Sequence, residues 1–100
     1  MKVVLTGKQL RFLRREAHHL KPIFQIGKSG LHEMIYKEVT DALEARELIK
    51  INLLQNAIEE PKQAAQGLAE HTGAEIVQVL GNVITLYKES KNNKQINLPR

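Results

Sequence analysis

Gly27-Lys28-Ser29-Gly30 sets a cation and a hydroxyl between two glycines, in a chain with only six glycines. Glycine tolerates positive φ and lets another backbone come close, so such a loop can lie flat against a phosphate. If a helix starts directly after it, unpaired N–H groups and the positive end of the helix dipole face the same spot. The plainer alternative is a strand-to-helix turn carrying a surface lysine. A nucleotide-binding P-loop is excluded, because G-x-x-x-x-G-K-[ST] needs a glycine where this chain has Pro22. What remains is a G-x-x-G loop, which in KH-type modules clamps the backbone of a few nucleotides with little sequence readout.

Other chemistry is sparse. There is no cysteine, so neither a disulfide frame nor a thiolate metal site is possible, which favours a reducing compartment. The adjacent His18 and His19 point about 100° apart on a helix, poor geometry for sharing a metal. Glu16, Glu33 and the four histidines show no ligand spacing, and a second Walker element is missing. The chain is therefore expected not to be an enzyme and to need no cofactor, metal or small-molecule substrate.

Charge placement says more than the net +4. Residues 1–30 hold seven Lys/Arg against one acid, Glu16, whereas residues 31–100 hold eight Lys/Arg against ten acids. A basic first third is the footprint of a polyanion partner, with nucleic acid before membrane because no strongly apolar face accompanies it. A solvated basic helix kept for solubility is the alternative. Residues 1–5 run too soon into Lys8, Arg11, Arg14 and Arg15 to form a signal h-region, and no later stretch approaches a membrane span. A cytoplasmic protein is expected. With four aromatics and no Trp, base stacking is limited and the core is mostly aliphatic.

The elements that must position these residues follow from periodicity. Residues 1–5 are either a short strand or a lead-in. Thr6 and Gln9 read as a capping box, and Leu10, Leu13, Ala17 and Leu20 mark a first helix over about 6–20. Its other faces carry Lys8, Arg11, Arg14, Arg15, His18 and His19. Pro22 closes it, and Ile23 to Ile26 form a short strand entering the glycine loop. Leu31, Ile35, Val39, Ala42 and Leu43 mark a second helix to about Arg46, with an acidic exposed side that confines contact to its start, near Lys28, Ser29 and His32 or Lys37. Leu48 to Leu54 alternates as a strand with Lys50 and Asn52 on its polar face. Pro61 opens a third helix that stops at Gly73, and Gly81-Asn82 joins two last strands in a hairpin. The order α-β-α-β-α-β-β implies an α/β domain with a mixed four-stranded sheet, its helices mainly on one side or its second face partly open. That domain covers residues 1–88. The polar, Lys- and Asn-rich segment 89–100 is expected to be a disordered tail, with Lys91 and Lys94 adding weak attraction without fixed contacts.

The run from Leu5-Thr6-Gly7-Lys8-Gln9-Leu10-Arg11 through Ala17-His18-His19-Leu20-Lys21-Pro22, followed by Gln25-Ile26-Gly27-Lys28-Ser29-Gly30-Leu31, resembles the YhbY-like, or CRM-domain, RNA-binding family. Glu47-Leu48-Ile49-Lys50-Ile51 and Gly81 to Lys88 look like the family's middle strand and closing hairpin, so the likeness covers about residues 3–88. Lys88 stands where the family often has Arg, which keeps charge but loses bidentate phosphate geometry. The resemblance implies a fold similar to the C-terminal domain of bacterial translation initiation factor three, with RNA bound near the G-x-x-G loop. It also implies the stand-alone bacterial type, associated with large ribosomal subunit precursors; plant members carry the domain in splicing factors. The expected RNA-binding residues are Gly27, Lys28, Ser29 and Gly30 with Lys8, Arg11, Arg14, Arg15 and Lys21, and the expected partner is ribosomal RNA in the pre-large subunit. A protein-interaction module whose basic helix docks an acidic partner is the alternative.

Overall fold

The computed structural model describes residues 5–100; the reading of residues 1–4 as strand or lead-in lies outside the described residues. Helix α1 (Gly7–Ala17) starts where the capping box requires: the Gln9 N–H donates to Thr6 Oγ1, and the Thr6 N–H to the Gln9 side chain. It ends at Ala17, three residues before the expected stop, because the chain turns at His18 and His19 and the Leu20 N–H closes onto Ala17 O. Leu20 is thereby left exposed. Then follow β1 (Phe24–Ile26), α2 (Glu33–Arg46), β2 (Leu48–Leu53), α3 (Pro61–Thr72), β3 (Glu75–Leu80) and β4 (Val83–Tyr87). Helix α3 starts on Pro61, whose missing N–H costs nothing at that position, and ends on Gly73 at φ +76°.

The four strands form one mixed sheet in the order β1-β2-β4-β3. β1 runs parallel to β2 through the α2 crossover, while β4 is antiparallel to both β2 and β3 and lies between them. Two-residue alternation divides the sheet. Ile26, Ile49, Ile51, Leu53, Ile84 and Leu86 face α2 and α3 and join Val39, Leu43, Ala64, Ala65 and Leu68 in the main core. On the other face Leu48, Val77 and Tyr87 pack against Leu13 and Ala17 of α1. The helices are thus split two to one between the faces, since the narrow Leu13/Ala17 stripe finds its apolar match only at one end of the second face.

The segment 89–100 departs from expectation. It has no regular secondary structure, yet it is tied down. Ser90 is buried, Ile96 and Leu98 pack against the Leu13, Ala17, Leu48, Val77 and Tyr87 cluster, as do Phe12 and Leu5, and Gln9 Nε2 donates to Pro99 O at 3.0 Å. Polar composition points to disorder, but the segment is anchored by two carboxylates elsewhere in the chain. Glu47 is fully buried, with its carboxylate accepting the N–H groups of Ser90, Gln95 and Ile96. Glu44 accepts the N–H groups of Lys91 and Asn92 and the Ser90 hydroxyl. Glu47 also sits at φ +66°, a rare conformation for a residue with a side chain.

Candidate nucleic-acid interface

Three connections meet at one end of the sheet: the Gly27–Gly30 loop after β1, the 54–60 connector after β2, and the Gly81-Asn82 turn before β4. Backbone bonds from Leu54 N–H to Ile26 O (2.8 Å) and from Leu53 N–H to Asn82 O (2.7 Å) hold them together. Residues 27–30 form a β-turn, closed by the Gly30 N–H on Gly27 O at 2.9 Å. Its two central residues, Lys28 and Ser29, are exposed; Gly30 is buried at φ +67°.

Both glycines are explained by packing. A Cβ on Gly27 would come within 3.2 Å of Leu54 Cδ1 and 3.3 Å of Asn56 Oδ1, and one on Gly30 within 2.8 Å of Glu59 Oε2. The loop therefore leans its glycines on the 54–59 connector and turns Lys28 and Ser29 to solvent. The helix terminus differs from expectation too. α2 begins at Glu33, two residues beyond the loop, and His32 Nδ1 takes the Ile35 N–H at 3.3 Å while Glu59 takes the Leu31 N–H. Much of the anion seat at that terminus is already occupied by the protein's own acceptors.

On α1, Lys8, Arg11, Arg14 and Arg15 are exposed, and Lys21 is exposed in the link to β1. Burying Leu13 and Ala17 forces this, because the cations occupy the remaining arc of the helix. Arg14 is partly committed, its Nε donating at 3.2 Å to Val77 O, which the irregular pairing between Ile76 and Gln78 leaves outside the ladder. Among the described residues the one ion pair joins Lys94 to Glu89 at 2.9 Å, so no described carboxylate neutralises the cations of α1, Lys21 or Lys28. His18 and His19 are exposed with rings edge to face at 5.4 Å, and no group of three or more His, Asp or Glu among the described residues could hold a metal. Lys88 is spent on structure: its Nζ donates to Thr72 O at the carboxyl end of α3, at 2.9 Å.

The helix and the loop are not adjacent. α1 packs on Leu48, at the start of β2, whereas the loop lies beyond Ile26, which pairs with Leu53 at the end of that strand. Five residue steps separate the two, about 17 Å of strand. On the α1 side of this stretch lie Lys50, Asn52 and Gln25, the last two directly opposite in the ladder and all at least partly exposed, while Thr85 opposite Lys50 is buried. None of the three stands out in the sequence as a site residue. A signal is present in the alternation of Lys50 and Asn52 against Ile49, Ile51 and Leu53, but their value depends on α1 leaving that end of the face open. Arg46, Lys21 and Lys50 also line a shallow cleft where the link crosses β2.

Residues 5–88 match the family model described as the CRS1 / YhbY (CRM) domain. Among known proteins, the chain is 55% identical over 96 residues to "Probable RNA-binding protein YqeI" of Bacillus subtilis, covering 96% of this chain and all of that one. It is 36% identical over 96 residues to an "RNA-binding protein" of Haemophilus influenzae, covering 96% of each. A Staphylococcus aureus protein, described with its solution structure as a candidate RNA-binding protein, superposes with a TM-score of 0.80 at 53% identity, over 96% of this chain and all of that one.

Proposed function

The chain belongs to the CRS1/YhbY (CRM) domain family, and we propose that it binds structured RNA through the outward face of α1 and the Lys28-Ser29 turn. The observation that carries this reading is the spacing: two cationic features without an ion-pair partner are anchored at the two ends of β2, about 17 Å of strand apart, with Lys50, Asn52 and Gln25 between them. One phosphate cannot bridge that span, whereas a polynucleotide backbone laid across the open sheet face can touch both. Lys8, Arg11, Arg15 and Lys21 supply point and forked charges to phosphates, Arg14 contributes the donors not held by Val77, and Lys28 and Ser29 meet the backbone at the far end. Gly27 and Gly30 serve the same contact by shaping the turn. Few exposed aromatics favour reading of backbone and shape over base stacking. The RNA-binding names of the Bacillus and Haemophilus relatives support this assignment. The partner we propose is ribosomal RNA in large-subunit precursors, met in the cytoplasm during assembly. No helix among the described residues is long and apolar enough to cross a membrane.

The test is a titration of the chain with large-subunit ribosomal RNA fragments, single-stranded RNA and duplex DNA across a range of salt. Tighter binding to structured RNA that persists near physiological salt is the expected result. Equal binding to all three, falling together with salt, would reduce the basic surface to general electrostatics and direct attention to an acidic protein partner.

A further inference from the structure

We propose that Glu59, in the connector before α3, is a positioning residue for the RNA contact: its carboxylate holds the Gly27–Gly30 turn so that Lys28 and Ser29 face the phosphate backbone. This rests on the RNA-binding reading above. The Glu59 side chain crosses from the 54–60 connector to the loop, where Oε2 accepts the Leu31 N–H at 3.3 Å. The same carboxylate lies against the Cα of Gly30: a side chain there would meet Oε2 at 2.8 Å and Oε1 at 3.2 Å, on a backbone at φ +67°. The second glycine of G-x-x-G is thereby the surface on which a neighbouring carboxylate rests.

Oε1 of Glu59 is buried and has no hydrogen-bond partner among the described residues. A half-satisfied buried carboxylate oxygen is costly, and a fold chosen for stability alone would replace it with an apolar or amide group. What the carboxylate supplies is orientation: it holds the end of the turn through one bond to the Leu31 N–H and through its packing on Gly30. The turn is locked before RNA arrives, which lowers the ordering cost of binding.

The experiment compares RNA affinity and backbone amide spectra of the wild-type chain, Glu59→Ala, Glu59→Gln, Lys28→Ala and the double variant Glu59→Ala/Lys28→Ala. Glu59→Ala is expected to weaken RNA binding by about tenfold, the worth of one charge-assisted bond at the turn. It should move the Gly30 and Leu31 amide resonances while those of β2 and β4 stay in place. Glu59→Gln keeps an acceptor for the Leu31 N–H and should restore those two resonances and bring affinity to within about twofold of wild type. Because Glu59 acts through the position of Lys28, the double variant should bind no more weakly than the weaker of its two parents. Wild-type affinity in Glu59→Ala, or a loss that adds fully to that of Lys28→Ala, would overturn the proposal, as would a Glu59→Ala spectrum unchanged at Gly30 and Leu31. Loss of fold in Glu59→Ala with full affinity in Glu59→Gln supports it only if Leu31 keeps its resonance in the latter; a shifted Leu31 there overturns it. A wild-type chain that ignores RNA refutes the functional reading instead, and the Leu31 resonance then still decides whether Glu59 holds the turn.

Discussion

The two ends of the sheet solve the same problem in opposite ways. At each, an irregular segment bearing exposed lysines is held to the domain by carboxylates from another part of the chain. At the end where β4 finishes, Glu47 and Glu44 have all their oxygens engaged by donors from Ser90 to Ile96. At the other, Glu59 engages the Leu31 N–H directly after the Gly27–Gly30 loop and keeps a buried oxygen unpartnered. The saturated end is architecture: its donors are consumed, and Lys94 is paired with Glu89. The under-satisfied end leaves Lys28 and Ser29 exposed, as the proposed RNA contact requires, and departures from good internal bonding tend to collect where a protein works.

The largest effect that could break this contrast is expected at Glu47. Glu47→Ala leaves the Ser90, Gln95 and Ile96 N–H groups without their acceptor and frees the C-terminal segment from α1. A drop of about 3 kcal/mol in urea unfolding is expected, with the loop's own geometry unchanged. A drop below about 1 kcal/mol would mean that the clamp is ornamental.

Next is the end of the proposed RNA contact. Replacing Lys28 and Ser29 together with Asp should weaken RNA binding by more than about tenfold through charge reversal at exposed positions, with the thermal midpoint nearly unchanged. Unaltered affinity in the folded variant would remove the loop from the interface. Neutralising Arg11 and Arg15 should lower both affinity and the salt dependence, by about 0.7–0.9 in log–log slope for each phosphate that is no longer neutralised. An unmoved slope would leave α1 merely solvated.

Acidification offers a subtler separation. Burial pushes the Glu47 carboxyl up, but the N–H groups of Ser90, Gln95 and Ile96 outweigh it and hold it below the ordinary value of 4.5. The N–H groups of Lys91 and Asn92 and the Ser90 hydroxyl lower Glu44 likewise. A depressed folded pKa means that the stabilisation is complete above the unfolded value and disappears as pH falls through the folded one. Protection of the 90–96 amides against exchange, relative to their intrinsic rates, should therefore hold down to about pH 4.5 and fall below it, before the sheet opens. Tyr87 beside them, raised to about 12 by burial and by Glu47 and Glu89, should stay neutral throughout. Smallest of all, Lys88→Met removes one bond to Thr72 O, and a drop of about 1 kcal/mol in stability with no change in RNA affinity is expected.

Much of this is legible in the chain as written. The Thr6/Gln9 capping box, Pro61 before α3, Gly73 after it and the Gly81-Asn82 hairpin are local signals, and each element they bound lies where they point. The cations of α1 are exposed as the Leu13/Ala17 stripe demands. Periodicity places the end of α1 and the start of α2 too generously, because a turn at His18 and a histidine cap at His32 leave little mark in the hydrophobic pattern.

Local pattern is sufficient for the elements, their order and the exposure of the α1 cations, because caps, turns and amphipathic stripes act over three or four residues. Tertiary structure alone decides that α1 takes the face opposite α2 and α3, and that Lys50, Asn52 and Gln25 lie at least partly exposed beside it. It alone decides that residues 89–100 are held and that the Glu59 carboxylate lies against the glycine turn. The physical reason is common to all of these: a carboxylate that accepts an N–H 28 or 43 residues away is, in sequence, indistinguishable from a solvated acid.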